Sequence, residues 1–138
     1  MEKLYKFVSQ LDTPHADIFT IIKPGFLHLS STIIKEFEEN GWEVFKSRTK
    51  HLLSSEAREL YKIHKKEDWY EPLVKYMSSD KSLAIIFRKV GTVPKDIYKA
   101  VGEIKDKIRD EYGESDMRNV MHSSDSLEHM QEEMKIYF

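Results

Sequence analysis

The segment Arg118-Asn119-Val120-Met121-His122-Ser123-Ser124-Asp125-Ser126 holds the side chain best suited to covalent chemistry. Neutral imidazole is a nucleophile near pH 7, because an unperturbed pKa of about 6.5 leaves much of it uncharged. A histidine at a strand end, just before a capped helix, stands at a structural edge. A buried carboxylate on its second ring nitrogen would fix the tautomer. Glu133 is placed for that task, beside the Met130 and Met134 stripe of the following helix. Taken alone, a surface histidine in a polar turn is the commoner reading, since isolated motif matches often mislead. Lys23 is the second candidate. It closes an apolar run and precedes Pro24-Gly25. A cation there suits phosphate as a point charge, although a solvated lysine closing a strand is the more frequent case.

The elements that must hold these groups follow from pattern. Ile18-Phe19-Thr20-Ile21-Ile22 and Leu83-Ala84-Ile85-Ile86-Phe87 are short apolar, β-branched runs, which read as buried strands. Residues 42–50, with Trp42 and Val44 alternating with polar residues, read as a further strand, and Asn119-Val120-Met121 as a brief one. Ser30, Ser31 or Thr32 can cap a helix carrying Ile33, Ile34 and Phe37, ended by Asn40-Gly41. Ser54 and Ser55 cap another, with Ala57, Leu60 and Tyr61. Trp69 to Met77 is a short helix in which Pro72 falls in the first turn, where it is tolerated. Pro94 starts a helix with Ile97, Tyr98, Val101 and Ile104. The charge-rich stretch 105–117, with Gly113, reads as a loop or an irregular extension, and the mixture from Asp106 to Asp116 as a mobile surface loop. Asp125 opens the last helix, with Glu128 in a capping-box position. The compact solution for this order is an α/β (α+β) sandwich, a ferredoxin-like β-α-β-β-α-β core whose four-stranded antiparallel sheet is covered by helices.

Composition narrows the partners. A chain of 138 residues is the length of one domain. With 22 basic and 24 acidic residues the formal charge is −2, which excludes a strongly polybasic nucleic-acid binder and an acidic tail protein. The absence of cysteine excludes disulfide scaffolds, cysteine–zinc sites and thiol catalysis, and fits a reducing compartment. Aromatics at 12% need a dry core. No run approaches the roughly 20 apolar residues of a membrane span, and Met1–Gln10 lacks the apolar core of a secretory signal. A soluble, intracellular protein without repeats is expected. His15, His28, His51, His64 and His129 show no metal-site spacing and read as mostly solvent-facing. Lys62, Lys65 and Lys66 read as a solvated helix end or as support near an anion. Met117, Met121, Met130 and Met134 read as core fillers.

Several segments are informative together. Thr20-Ile21-Ile22-Lys23-Pro24-Gly25, Leu73-Val74-Lys75-Tyr76-Met77, Asn119-Val120-Met121-His122-Ser123-Ser124-Asp125-Ser126 and the closing Ile136-Tyr137-Phe138 occur in the order, and close to the spacing, of the nucleoside diphosphate kinases. The chain resembles that family from about residue 17 to its end, and the His-x-Ser-Asp-Ser segment is the specific part. The resemblance implies one domain over 17–138 with residues 1–16 as an N-terminal extension. It implies an enzyme that moves the γ-phosphate of a nucleoside triphosphate to a nucleoside diphosphate by a ping-pong route. His122 then matches the phosphate-carrying histidine, supported by Ser124 and Glu133. Lys23 matches the lysine on the transferred phosphate, Tyr61 the tyrosine lining that site, and Arg109 an arginine on the nucleotide phosphates. Asn119 matches the asparagine on the sugar hydroxyl, Trp69 the aromatic that stacks on the base, and Leu73 an apolar contact. Mg2+ is the implied cofactor, bound through the nucleotide phosphates rather than a dedicated carboxylate cage. The expected partners are nucleoside tri- and diphosphates and further copies of the chain, as a hexamer, tetramer or dimer. A membrane and nucleic acid are not expected as primary partners, and the cytoplasm is the expected location.

The chain also departs from the family's pattern. Lys-Pro-Asp-Gly has lost its aspartate, and the stretch 103–118 is shorter than the family's. A second phosphate arginine would fall near Ile97 or Tyr98, and a threonine near Ile104. Lys95, Lys99 or Lys105 is available as a substitute, but a lysine does not reproduce an arginine fork. The alternative reading is a nucleotide-binding or regulatory module with the same fold and weak or no kinase activity.

Overall fold

The computed structural model describes residues 14–91 and 95–138. Expectations for the opening segment, including most of the 1–16 extension, and for Pro94 as a helix start lie outside the described residues. The strands are β1 (His15–Ile22), β2 (Glu43–Lys50), β3 (Ser82–Val90) and β4 (Met121–Ser123). The helices are α1 (Ser30–Glu39), α2 (Ser54–Leu60), α3 (Tyr70–Met77), α4 (Ile97–Tyr112) and α5 (Leu127–Tyr137). Short 3-10 turns at Leu27–Leu29 and Lys62–His64 precede α1 and follow α2. The strands form one four-stranded sheet in the order β2-β3-β1-β4, with every neighbouring pair antiparallel. This is the expected ferredoxin-like arrangement.

Side chains alternate across a strand, so each apolar run feeds two layers. Phe19 and Ile21 of β1 and Ala84 and Ile86 of β3 face α2, α3 and α5, where they meet Leu60, Val74, Met77 and Tyr137. Ile18, Ile22, Ile85 and Phe87 face α1 and α4, where they meet Ile33, Phe37, Val101 and Ile108. Phe37 stacks on Phe87 with ring centroids 4.2 Å apart. The central strands β1 and β3 are thus covered on both sides. Thr20, buried between them, donates its hydroxyl to Ile85 O at 2.9 Å.

Four expectations need correction. His15 and Ala16, assigned to the extension, already pair with Val90 and Lys89 in the sheet. The stretch 105–117 is not a loop throughout, because α4 continues to Tyr112. Val101, Ile104 and Ile108 are buried along one side of that helix, and the charges that suggested a loop occupy its other sides. Gly113 ends it: its N–H donates to Arg109 O at 2.8 Å, and a Cβ there would lie 2.5 Å from that oxygen. β4 begins at Met121 rather than Asn119, because Val120 turns the chain with φ at 79°. The last helix begins at Leu127 rather than Asp125; Ser126 is its cap, and its side chain accepts from His129 N. Among the described residues, no helix is long and apolar enough to cross a membrane.

Candidate active site

His122 stands inside β4, where it pairs with Ile21. Its Nε2 lies 2.6 Å from Glu133 Oε1. Ser124 donates its hydroxyl to the other carboxylate oxygen, Oε2, at 2.7 Å. Glu133 is buried on α5, and a buried carboxylate is tolerated only when its lone pairs are filled. A carboxylate that accepts on both oxygens requires the imidazole hydrogen on Nε2. Nδ1 is then the nitrogen with a free lone pair, and no described residue bonds it. The ring of Tyr61 meets the imidazole edge-on, with centroids 5.9 Å apart.

The approach to β4 is unusual. Val120 is β-branched and fully buried, yet its φ of 79° lies in the left-handed region. Such a conformation costs on the order of 1–3 kcal/mol and persists only when its surroundings hold it. Two backbone bonds do so: Lys23 N–H to Val120 O at 2.8 Å, and Met121 N–H to Asn119 O at 3.0 Å. The turn sets Asn119 beside Lys23. Lys23 Nζ donates to Asn119 Oδ1 at 2.7 Å and to Met117 O at 3.3 Å, and Asn119 Nδ2 donates to Asp116 O at 2.8 Å. Lys23 is buried, and burial first, then the charges of Arg109 and Lys105, bring its pKa down to about 7.

Arg109, on the last turn of α4, donates Nε and Nη2 to Met121 O at 3.2 and 2.8 Å. Its guanidinium is therefore fixed against the strand that carries His122. Among the described residues, the buried Tyr61 hydroxyl has no hydrogen-bond partner. Burial holds that hydroxyl protonated by raising its pKa. An orphaned buried donor is rare and calls for an explanation.

These side chains surround a cleft of about 490 Å3. Lys23, Tyr61, Trp69, Leu73, Arg109, His122 and Glu133 all line it. Asn119 and Ser124 are not lining residues; they hold Lys23 and Glu133 from behind. Trp69 is 43% exposed and its ring lies 4.8 Å from that of His64, while Leu73 is buried. Ile104, where a threonine was sought, is buried in the core under the sheet, and Ile97 and Tyr98 lie in the first turn of α4.

Three features escaped the sequence reading. The left-handed Val120 has no signature, because a β-branched residue is among the last expected there. His129 is not a plain surface histidine: it lines the cleft and its Nδ1 bonds Asp125, which raises its pKa. Arg118 closes the shortened Lys-Pro-Gly turn. Its guanidinium lies 5.3 Å from the ring centroids of both Phe26 and Tyr76. Tyr76 in turn donates its hydroxyl to Pro24 O. Gly25 has φ at 89°, and a Cβ there would sit 2.7 Å from Arg118 Nη2.

The nucleoside diphosphate kinase family model matches residues 17–138. The chain belongs to the nucleoside diphosphate kinase family. It is 32% identical over 127 residues to a nucleoside diphosphate kinase of Kosmotoga olearia, covering 87% of this chain and 86% of that one. It is 35% identical over 129 residues to a thioredoxin domain-containing protein 3 homolog of Heliocidaris crassispina. There it covers 83% of this chain but spans only 15% of that much longer protein. The fold matches the crystal structure of the Aquifex aeolicus nucleoside diphosphate kinase with a TM-score of 0.78 at 24% identity, covering 91% of this chain and 96% of that one. Family membership accounts for the long match from β1 to α5. The pairing of His122 with Glu133 and of Lys23 with Asn119 is read from this chain's own geometry.

Proposed function

We propose that the protein transfers the γ-phosphate of a nucleoside triphosphate to a nucleoside diphosphate through a phosphohistidine on His122. The observation that carries the reading is the free Nδ1 of His122, backed by the buried Glu133–Ser124 pair and facing a cleft that Lys23 and Arg109 also line. In the first half-reaction the Nδ1 lone pair attacks the γ-phosphorus. The bond to the bridging oxygen breaks, its electrons pass to the β-phosphate, and the diphosphate leaves. In the second, a terminal oxygen of an acceptor diphosphate attacks the phosphorus and the N–P bond breaks, returning the lone pair to Nδ1. Glu133 keeps the hydrogen on Nε2 and offsets the positive charge that builds on the ring while the N–P bond exists.

Phosphoryl transfer depends mainly on positioning and charge stabilisation. In this reading Lys23 and Arg109 face the phosphate oxygens, and the orphaned Tyr61 hydroxyl donates to one of them. Asn119 acts through Lys23 as well as on the sugar. Trp69 stacks on the base and Leu73 lies against it; a stacking contact reads a face common to all bases and predicts loose base selectivity. Among the described residues there is no cluster of three His, Asp or Glu side chains to hold a metal. Mg2+ carried by the nucleotide phosphates would supply further charge neutralisation beside Lys23 and Arg109. The same reading places the protein in the cytoplasm as a closed homo-oligomer. Val44 and Phe45, exposed on the outer strand β2, favour a partner copy along that edge.

Steady-state transfer between a triphosphate and a diphosphate of another base tests the mechanism. Parallel double-reciprocal lines and loss of activity in His122→Ala are expected. Intersecting lines, or activity retained without His122, would contradict it.

A further inference from the structure

His129 is a second imidazole of the cleft that is bonded to a carboxylate. Its Nδ1 bonds the side chain of Asp125, four residues earlier, and its backbone N–H serves the Ser126 cap. A carboxylate accepts, so a hydrogen stands on Nδ1 and Nε2 is the nitrogen left over. No described residue bonds Nε2. The arrangement is the reverse of the His122–Glu133 pair, in which Nε2 is held and Nδ1 is left. The two pairs are neighbours. Glu133, whose Oε1 lies 2.6 Å from His122 Nε2, follows His129 by four residues on α5. That spacing sets two side chains one above the other on a helix face, with Cβ atoms about 5–6 Å apart. His122 and His129 both line the cleft.

The two histidines suit different work. Glu133 is buried, whereas the side chain of Asp125 is 74% exposed. His129 therefore exchanges protons with solvent, and its bond to Asp125 favours the charged ring. The other charged groups around it are engaged or face water. Glu133 is held by His122 and Ser124, Glu132 lies 3.6 Å from Lys62 of the turn after α2, and Glu128 is exposed. Tyr98 of α4 stands near Asp125, which helps keep that hydroxyl protonated. A cation is out of place in the first turn of a helix, where the dipole favours anions. A partly exposed imidazolium kept there, with one N–H unused at a cleft, calls for an anionic ligand. We propose that His129 is a further phosphate-binding residue of this site, its Nε2–H donating to an oxygen of the phosphoryl group that His122 receives. The ring keeps its proton throughout and adds a cation from the α5 side to those of Lys23 and Arg109. In the neutral ring the single hydrogen is on Nδ1 and Nε2 offers the phosphate only a lone pair, so the charged form alone serves. Asp125 is its positioning residue. This inference rests on the kinase reading above.

The test is the rate of phosphoenzyme formation from Mg2+ and saturating γ-labelled ATP, with calorimetric binding of ADP alongside, for the full chain and for His129→Gln and His28→Gln. Gln keeps the backbone N–H of the cap and suits the third position of a helix. Loss of one charge-assisted contact predicts labelling slower by about tenfold to a hundredfold in His129→Gln. The label stays on His122, and ADP, which lacks the transferred phosphoryl, binds as it does to the wild type. His28 is exposed and outside the cleft, and its variant labels at the wild-type rate. The ratio of wild-type to His129→Gln rates falls between about pH 6 and about pH 9, as the ring gives up its proton. His129→Ala serves as a second variant should His129→Gln fail to melt cooperatively. Wild-type labelling by either folded variant, a ratio indifferent to pH, or an equal loss of ADP affinity would overturn the role of His129 alone. A wild type that takes no label would overturn the kinase reading and this inference with it.

Discussion

Glu133 Oε1 approaches His122 Nε2 to 2.6 Å across the gap between α5 and β4, and the carboxylate is almost wholly buried. A contact of this kind, with one partner ionised, is worth about 1.5–3 kcal/mol. Glu133→Gln keeps the volume and removes the charge. It is expected to lower kcat by roughly 10- to 100-fold with little change in KM. Ser124→Ala leaves the His122 contact in place and is expected to cost less. Steady-state kinetics of the two variants checks the order.

Lys23 links activity to pH. Its pKa in the empty protein is about 7, whereas an unfolded lysine titrates near 10.4. Between those values the unfolded chain holds more protons, so this group makes stability rise with pH from about 7 to about 10. Below pH 7 both states are protonated, and the cost of burying the charge is present in full. Phosphate favours the charged form, so diphosphate binding above pH 7 takes up a proton and weakens as pH rises. Calorimetry at pH 8 in two buffers of different ionisation enthalpy is expected to show proton uptake in the wild type. Lys23→Met is expected to lose the Lys23 share of that uptake.

The Tyr61 hydroxyl is buried and has no hydrogen-bond partner among the described residues. An unmet donor of this kind costs about 1–3 kcal/mol until a ligand accepts from it. Tyr61→Phe is therefore expected to leave the empty protein as stable as the wild type or more so. The rise in Tm on adding a nucleoside diphosphate is expected to shrink. Thermal melts with and without ligand give both results.

Gly25 is confined twice, by a φ of 89° and by Arg118 Nη2 at 2.7 Å from where a Cβ would be. Gly25→Ala is expected to destabilise by about 1–3 kcal/mol. In an Arg118→Ala background only the backbone part, about 1–2 kcal/mol, should remain. Urea denaturation of the four proteins in the cycle measures the difference.

What was readable in the chain follows its apolar pattern. β1 and β3 carry continuous apolar runs because both their faces are covered, and such runs announce themselves. The Glu133 partner of His122 was readable because Met130 and Met134 mark the inward side of α5. The end of α4 was not, since Lys105, Asp106, Lys107 and Asp110 obscured a stripe of Val101, Ile104 and Ile108 that needed only to be followed one turn further. β4 is displaced by two residues from its expected place because a strained turn at Val120, imposed by tertiary contacts, has no local residue preference behind it. Asn119 was expected at the sugar, and its amide is found bonded to Lys23 and to Asp116 O. Long-range pairings of this sort leave no periodic trace.

The most direct measurement is of the phosphoenzyme itself. The protein is mixed with Mg2+ and γ-labelled ATP, quenched in base, digested, and the label located. A base-stable, acid-labile label on His122 is expected, absent from His122→Ala and discharged on adding a nucleoside diphosphate. No label, or a label on another residue, would contradict the role assigned to His122.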